Sequence, residues 1–334
     1  MFVPEADQRA ARPRESEPIE SVCVNSTNNP PDTFPGHDGG RWTPVASEVV
    51  ASWSRGHFAE NLAIDTAGVV YVSLHSHHRI DRFDPTTRQV EEFAHVTAPT
   101  AGLAFDAAGS LWVTGGAVGQ TPGYIWRIRS GQPETWLEIP DAVFMNGCTP
   151  HPDSRTLLVC ESLTGRILAI DQKEKRWSVW LKDDRLRPKS TQMPGANGIK
   201  LHDRWAWISI TDHDRVVRSQ IAADGSAGPM EVVAERLRAD DFAFGESGAT
   251  YIATHAAQTV LRLHPNGARE TIAGPHEGAV GSTACAFGRR PEDRKALYVT
   301  TTGGLWSPYR GEIEDAKLLR LTVGERGRPL LAEP

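Results

Sequence analysis

Several things are scarce in this sequence, and each scarcity removes a class of function. Four cysteines in 334 residues, Cys23, Cys148, Cys160 and Cys285, are too scattered for a disulfide framework, and no C-x-x-C pair offers zinc or redox chemistry. The last three read as small buried hydrophobes. Basic charge is in deficit, with 36 Lys and Arg against 42 Asp and Glu for a net charge of −6, so nothing supplies the counterion release that drives binding to nucleic acid. No apolar run approaches the ~20 residues of a bilayer span, and the opening stretch MFVPEADQRAARPRESEP lacks the apolar segment of a secretory signal. The expectation is a cytoplasmic protein without membrane contact, in which the sequon Asn25-Ser26-Thr27 goes unused. Missing too are a G-x-S-x-G elbow, a phosphate-cradling G-x-x-x-x-G-K-[ST] loop and any glycine cluster that opens a helix. Their absence removes serine-triad, nucleotide and nicotinamide chemistry.

What is present is enough apolar material for a core, 39% of residues against 23% charged. Residues 1–45 are rich in Pro, Asn and charge and close on PPDTFPGHDGG, which predicts an irregular N-terminal extension. From residue 46 onward short apolar runs alternate with Gly, Asp, Asn and Pro turns, and helical periodicity is lacking. The runs repeat. Copies open at ENLAIDTAGVVYVS (residue 60), AGLAFDAAGSLWVT (101), NGCTPHPDSRTLLVC (146), NGIKLHDRWAWIS (197), DDFAFGESGATYIAT (240) and TACAFGRRPEDRKALYVTT (283). That period of roughly 41 to 51 residues fits a four-stranded propeller blade, and VVYVS, WAWIS and LYVTT are β-type rather than helical runs. The prediction is an all-β chain: a six-bladed β-propeller with four-stranded blades over residues 46–334, preceded by the extension. The segment ASEVVASWS (46–54) is expected to be the outermost strand of the last blade, closing the ring and hiding a sheet edge.

The first strand of every blade lines the central channel, so the residues opening the copies form a ring at one mouth. They are Glu60, Ala101, Asn146, Asn197, Asp240 and Thr283. Glu60, Asn146, Asn197 and Asp240 together form a hard all-oxygen set of charge −2. This set suits Ca²⁺ ahead of Mg²⁺, Mn²⁺ and, least matched to such donors, Zn²⁺. Four protein ligands leave coordination positions for water and substrate. The competing reading takes Asn146-Gly147 and Asn197-Gly198 as ordinary turn dipeptides and the two acids as solvated loop residues.

This ring, with the strings ENLAID, NGIKLHD and the closing TTGGL, resembles the gluconolactonase and regucalcin-like (senescence marker protein) six-bladed propellers. The resemblance implies a divalent cation held by Glu60, Asn146, Asn197 and Asp240, with Asp240 also serving as base. It covers residues 46 to about 325. One departure stands out: sugar-lactone members carry an arginine two residues before the third-blade asparagine, whereas this chain reads Phe144-Met145-Asn146-Gly147. An apolar ring in place of a cation argues for a lactone or ester less polar than a sugar lactone.

Loops expected at the same mouth supply His75, His77, Glu161, Asp212, His213, His255, Trp306 and Tyr309, and those leading into the blades add His57, Phe58, Phe144, Met145, Met193 and His276. From these, His57, Phe58, His75, His77, Phe144, Met145, Met193, Trp306 and Tyr309 are candidate substrate-binding residues, and His255 joins Asp240 as a candidate acid–base group. The run HSHH (75–78) could also ligate a transition metal if His75 and His77 project alike from an extended chain, although a polar loop explains it without metal. Taken together, the expected function is metal-dependent hydrolysis of a small-molecule lactone or ester. The alternatives are a non-hydrolytic cyclase or pericyclase of secondary metabolism, and a non-catalytic binding scaffold. The sequence carries no signal of oligomeric state.

Overall fold

A computed structural model describes residues 40–190 and 193–328. Cys23, the sequon and residues 1–39 of the extension lie outside the described residues. Strands dominate, and they form six sheets arranged as blades. The inner strands are Ala59–Ile64, Thr100–Phe105, Met145–Pro150, Ala196–His202, Phe242–Phe244 and Ser282–Phe287, and they neighbour one another in cyclic order. The chain is a six-bladed propeller.

Blade geometry follows from local sequence. After the first inner strand, Asp65 accepts the N–H groups of Ala67 and Val69, and Gly68 takes φ 84°, a left-handed turn that only glycine adopts without cost. Asp106 and Gly109 repeat the device in the second blade. The ring closes as expected, with Ser47–Trp53 pairing antiparallel with Ala316–Thr322 to complete the sixth blade. One strand falls within the segment expected to be irregular: Arg41–Trp42 adds parallel to Arg269–Ala273, giving the fifth blade an extra outer strand.

Apolar faces of adjacent blades meet in six clusters, one for each wedge between neighbours. Cys148, Cys160 and Cys285 are free and buried within these wedges. Burial pushes the Cys148 thiol up to about 12, so these groups behave as the inert hydrophobes the sequence suggested. Among the described residues no helix is long and apolar enough to cross a membrane.

Candidate functional site

The ring residues owe their position to a backbone irregularity that recurs from blade to blade. Register shifts fall at Ala59/Asn61, Thr100/Leu103, Met145/Cys148, Ala196/Ile199 and Ser282/Ala284, so a bulge sits at Glu60, Ala101, Asn146, Asn197 and Thr283. A bulge re-aims the side chain it carries. Hydroxyls on neighbouring strands then fasten blade to blade at this level. Ser73 donates to the Ala101 carbonyl at 2.8 Å, Thr114 to that of Asn146 at 2.5 Å, Ser209 to that of Asp240, and Thr283 to that of Ala59 at 2.7 Å. Asn146-Gly147 and Asn197-Gly198 therefore lie within strands, not turns. Their glycines serve close approach: a Cβ on Gly147 would stand 2.5 Å from the Asn197 carbonyl oxygen, and one on Gly198 2.6 Å from Asp241 Oδ1.

All four expected ligands are buried at this mouth. Asn146 Nδ2 donates to Ser162 Oγ at 3.2 Å, and Asn197 Nδ2 to Thr211 Oγ1 at 3.0 Å and Asp240 Oδ1 at 2.7 Å. With their nitrogens committed, both amides turn their oxygens the other way. Asp240 Oδ2 accepts from His255 Nδ1 at 3.1 Å, which joins the two candidate acid–base groups into a pair. Burial, followed by the charges of Asp240 and Asp241, drives the Glu60 carboxyl well above the usual range, and burial raises Asp240 against the lowering effect of His255. Glu60 Oε2 is buried and makes no hydrogen bond among the described residues. Two facing carboxyls, one with an orphaned oxygen, beside oriented amides form a donor set that fits a hard cation.

Above this layer the structure brings three of the expected substrate-binding residues, Phe58, His75 and Trp306, together with His255. Phe58 packs on His75 at 5.3 Å between centroids, on His255 at 5.7 Å and edge-on to Trp306 at 4.5 Å. Trp306 remains 63% exposed, giving the mouth a solvent-facing apolar wall. His57 stacks flat on His77 at 3.8 Å. Phe144 is buried two residues ahead of Asn146, and its N–H donates to Glu161 Oε1 at 3.1 Å.

Other placements differ from expectation. Met145 is fully buried in the wedge between the second and third blades, with Trp112 and Val159 in the same cluster. Neighbouring strand residues face opposite ways, so a residue beside one that faces the channel belongs to the core. Met193 and Tyr309 are half-buried on their loops, Tyr309 under the Arg310 guanidinium. Glu161 is spent on the N–H groups of Val143, Phe144 and Thr164, and Asp212 on Ser190. His276 is exposed and His213 half-buried. The HSHH run is not extended: His75–His77 is a 3₁₀ turn that buries His75 and exposes His77. His75 Nδ1 lies 2.7 Å from the Thr100 carbonyl, which can only accept, so this nitrogen carries the proton and Nε2 keeps its lone pair. Among the described residues no group of three or more His, Cys, Asp or Glu gathers for a metal, at the HSHH turn or at the ring.

The sequence reading missed two groups. Lys200 bridges both oxygens of Asp241 at 2.7 and 2.6 Å, and Asn61 Nδ2 donates to the same carboxylate at 3.0 Å. Asn61 and Asp241 directly follow ring residues, so this bridge lies one layer below the ring. Gln258 ties the Trp306 loop down, donating to the Ser307 carbonyl and accepting from Gly281 N at 2.6 Å. Asp241 directly follows the ring residue Asp240, which was its one visible signal; Gln258 had none.

No protein-family model matches the sequence, and no curated protein does. Solved structures match throughout the propeller. A luciferin-regenerating enzyme superposes with a TM-score of 0.67 at 14% identity, covering 86% of this chain and 98% of its own. A calcium-binding regucalcin from Agrobacterium tumefaciens gives 0.65 at 15% identity, with 87% and 98% covered. The fold is of the regucalcin and gluconolactonase type. A gluconolactonase from Xanthomonas campestris adds a TM-score of 0.63 at 13% identity over 86% of this chain and 93% of its own. A virginiamycin B lyase from Staphylococcus aureus, solved as a catalytically inactive histidine-to-alanine variant with quinupristin, lies further off at 0.52 and 16%, with 79% and 80% covered. At these identities the propeller type is the common property.

Proposed function

We propose that the protein is a divalent-cation-dependent hydrolase that opens a lactone or related ester less polar than a sugar lactone. The observation that carries this reading is the Asp240 carboxylate, which holds Asn197 on one oxygen and His255 on the other beside the orphaned oxygen of Glu60. Glu60, Asn146, Asn197 and Asp240 would hold the cation. When bound, it supplies Lewis acidity toward the scissile carbonyl and acidifies a coordinated water. The regucalcin and gluconolactonase neighbours support this class of chemistry.

The chain's own groups supply the remaining steps. Asp240 orients the His255 ring by accepting from Nδ1, which leaves Nε2 to take a proton from the attacking water. As water oxygen bonds to the carbonyl carbon and the ring C–O bond breaks, that proton passes to the departing alkoxide, yielding a hydroxy acid. Phe58 and Trp306 exclude water and receive the apolar body of the substrate, with Phe144 where sugar-lactone propellers carry arginine. The expected result is that Asp240→Asn abolishes turnover of lactones or esters in a panel assayed with and without Ca²⁺, while circular dichroism and Tm stay close to wild type. Undiminished hydrolysis by that variant would overturn the assignment.

A second reading, lyase or cyclisation chemistry without hydrolysis, draws on the apolar mouth at Phe58, Phe144 and Trp306, and on the lyase neighbour whose histidine variant is inactive. Chelation separates the two. A native reaction that survives EDTA after loss of the ion favours this second reading.

A further inference from the structure

The inner strands all run the same way, so their far ends form a second mouth, about 10–13 Å from the ring at ~3.3 Å per residue. A cavity of about 290 Å³ opens there. Its walls come from all six blades, with Leu62, Ile64, Leu103, Phe242 and Phe287 among them. Five cations line it, Lys200, Arg289, Arg294, Arg326 and Arg328, and no Asp or Glu does. In a chain of net charge −6 this is a pronounced local reversal. Lys200 is answered by Asp241, but Arg328 donates to His202 Nε2 at 2.8 Å and approaches the Glu246 carbonyl at 3.5 Å, both uncharged acceptors. The Lys200–Asp241 bridge with Asn61 lies between this cavity and the ring.

We propose that this far-mouth cavity is a second ligand site, for a small amphipathic carboxylate. Its apolar body lies against Leu62, Ile64 and Phe242, and its head group meets the arginine rim, where a guanidinium fork matches carboxylate geometry. The volume stands at the lower edge of small-molecule pockets, which favours a medium-length chain over a bulky polycycle. The hydrolase reading is not needed for this site and says nothing about it.

Isothermal titration of the full chain with dodecanoate below its micelle concentration tests the proposal. Wild type is expected to bind one equivalent, at least tenfold tighter than dodecan-1-ol, which shares the body and lacks the charge. R289Q/R326Q is expected to weaken dodecanoate at least tenfold and leave the alcohol unchanged. Ala286→Trp, which fills the cavity from a half-buried position on its wall, is expected to abolish binding with Tm retained. Asp240→Asn is expected to bind dodecanoate as wild type does, since the ring lies at the other end of the channel. Equal affinity for acid and alcohol, no binding below millimolar concentration, or loss of binding in Asp240→Asn would each overturn the proposal.

Discussion

His255 sits at φ 43°, in the left-handed region that non-glycine residues enter at a cost of about 1–2 kcal/mol. The backbone holds that conformation at the residue whose Nδ1 meets Asp240, so the strain lies at the proposed acid–base group. His255→Gly removes both the strain and the imidazole. Turnover is expected to fall about 10²- to 10⁴-fold, the usual worth of a general acid–base group, while Tm holds or rises. A variant with near-normal kcat would place the proton transfer elsewhere. Asp171 illustrates the opposite use of a carboxylate, one that stabilises the fold. It accepts two hydrogen bonds from Arg155, at 3.0 and 2.7 Å, and the N–H groups of Lys173 and Glu174, and the Arg155 hydrogen bonds foremost hold its pKa down to about 2. A depressed folded pKa means the contribution is present above the unfolded value of 3.8 and disappears as pH falls through about 2. Asp171→Asn is expected to cost about 1 kcal/mol at pH 7 and only a small part of that at pH 2, read from denaturant midpoints at both pH values.

At the scale of the strand, the bulge decides where chemistry can stand. Five of the six inner strands give up a ladder position so that one side chain turns to the axis, and a glycine follows at Gly102, Gly147 and Gly198, where the next blade crowds the backbone. Gly198→Ala would drive a methyl to 2.6 Å from Asp241 Oδ1 and 2.8 Å from the Asp240 carbonyl. It is expected to destabilise by about 1–3 kcal/mol and to lower turnover through displacement of Asp240, measured by urea unfolding beside kcat. The repeat frame made the ring positions legible in the sequence, because Glu60, Asn146, Asn197 and Asp240 open four of the six copies in register. The aromatic mouth was legible more coarsely, as loop residues without partners assigned. What stayed hidden depends on neighbours far away in the chain. Met145 goes to the core because its strand bulges one residue later. Lys200 reaches Asp241 across a blade boundary, and Gln258 gains its role only when the Trp306 loop folds over it. Alternation along one strand carries no information about such cross-blade contacts.

At the scale of the molecule, the ring is held shut by a single antiparallel pairing between the two ends of the propeller. Ser47–Trp53 lies against Ala316–Thr322, and Val50, Ala51 and Trp53 share a core cluster with Leu62, Val72 and Tyr298 of the first and sixth blades. Loss of this strand is expected to disrupt the oxygen ring first, because Glu60 enters from the blade beside the closure and Thr283, which clasps the Ala59 carbonyl, from the blade that the closure completes. Closure and site assembly are therefore expected to be one event. Ala51→Pro tests this. Ala51 is fully buried and registers opposite Leu318, so proline there removes a ladder donor and crowds the strand at about 3 kcal/mol or more. The expected outcome is a lower Tm together with loss of activity well below that Tm, as the first and sixth blades part while the central blades persist. Hydrogen exchange would show Ser47–Trp53, Ala59–Ile64 and Ser282–Phe287 losing protection together, ahead of Met145–Pro150 and Ala196–His202. Uniform loss across all six blades would instead mean that the propeller unfolds as one unit and that closure adds stability without gating the site.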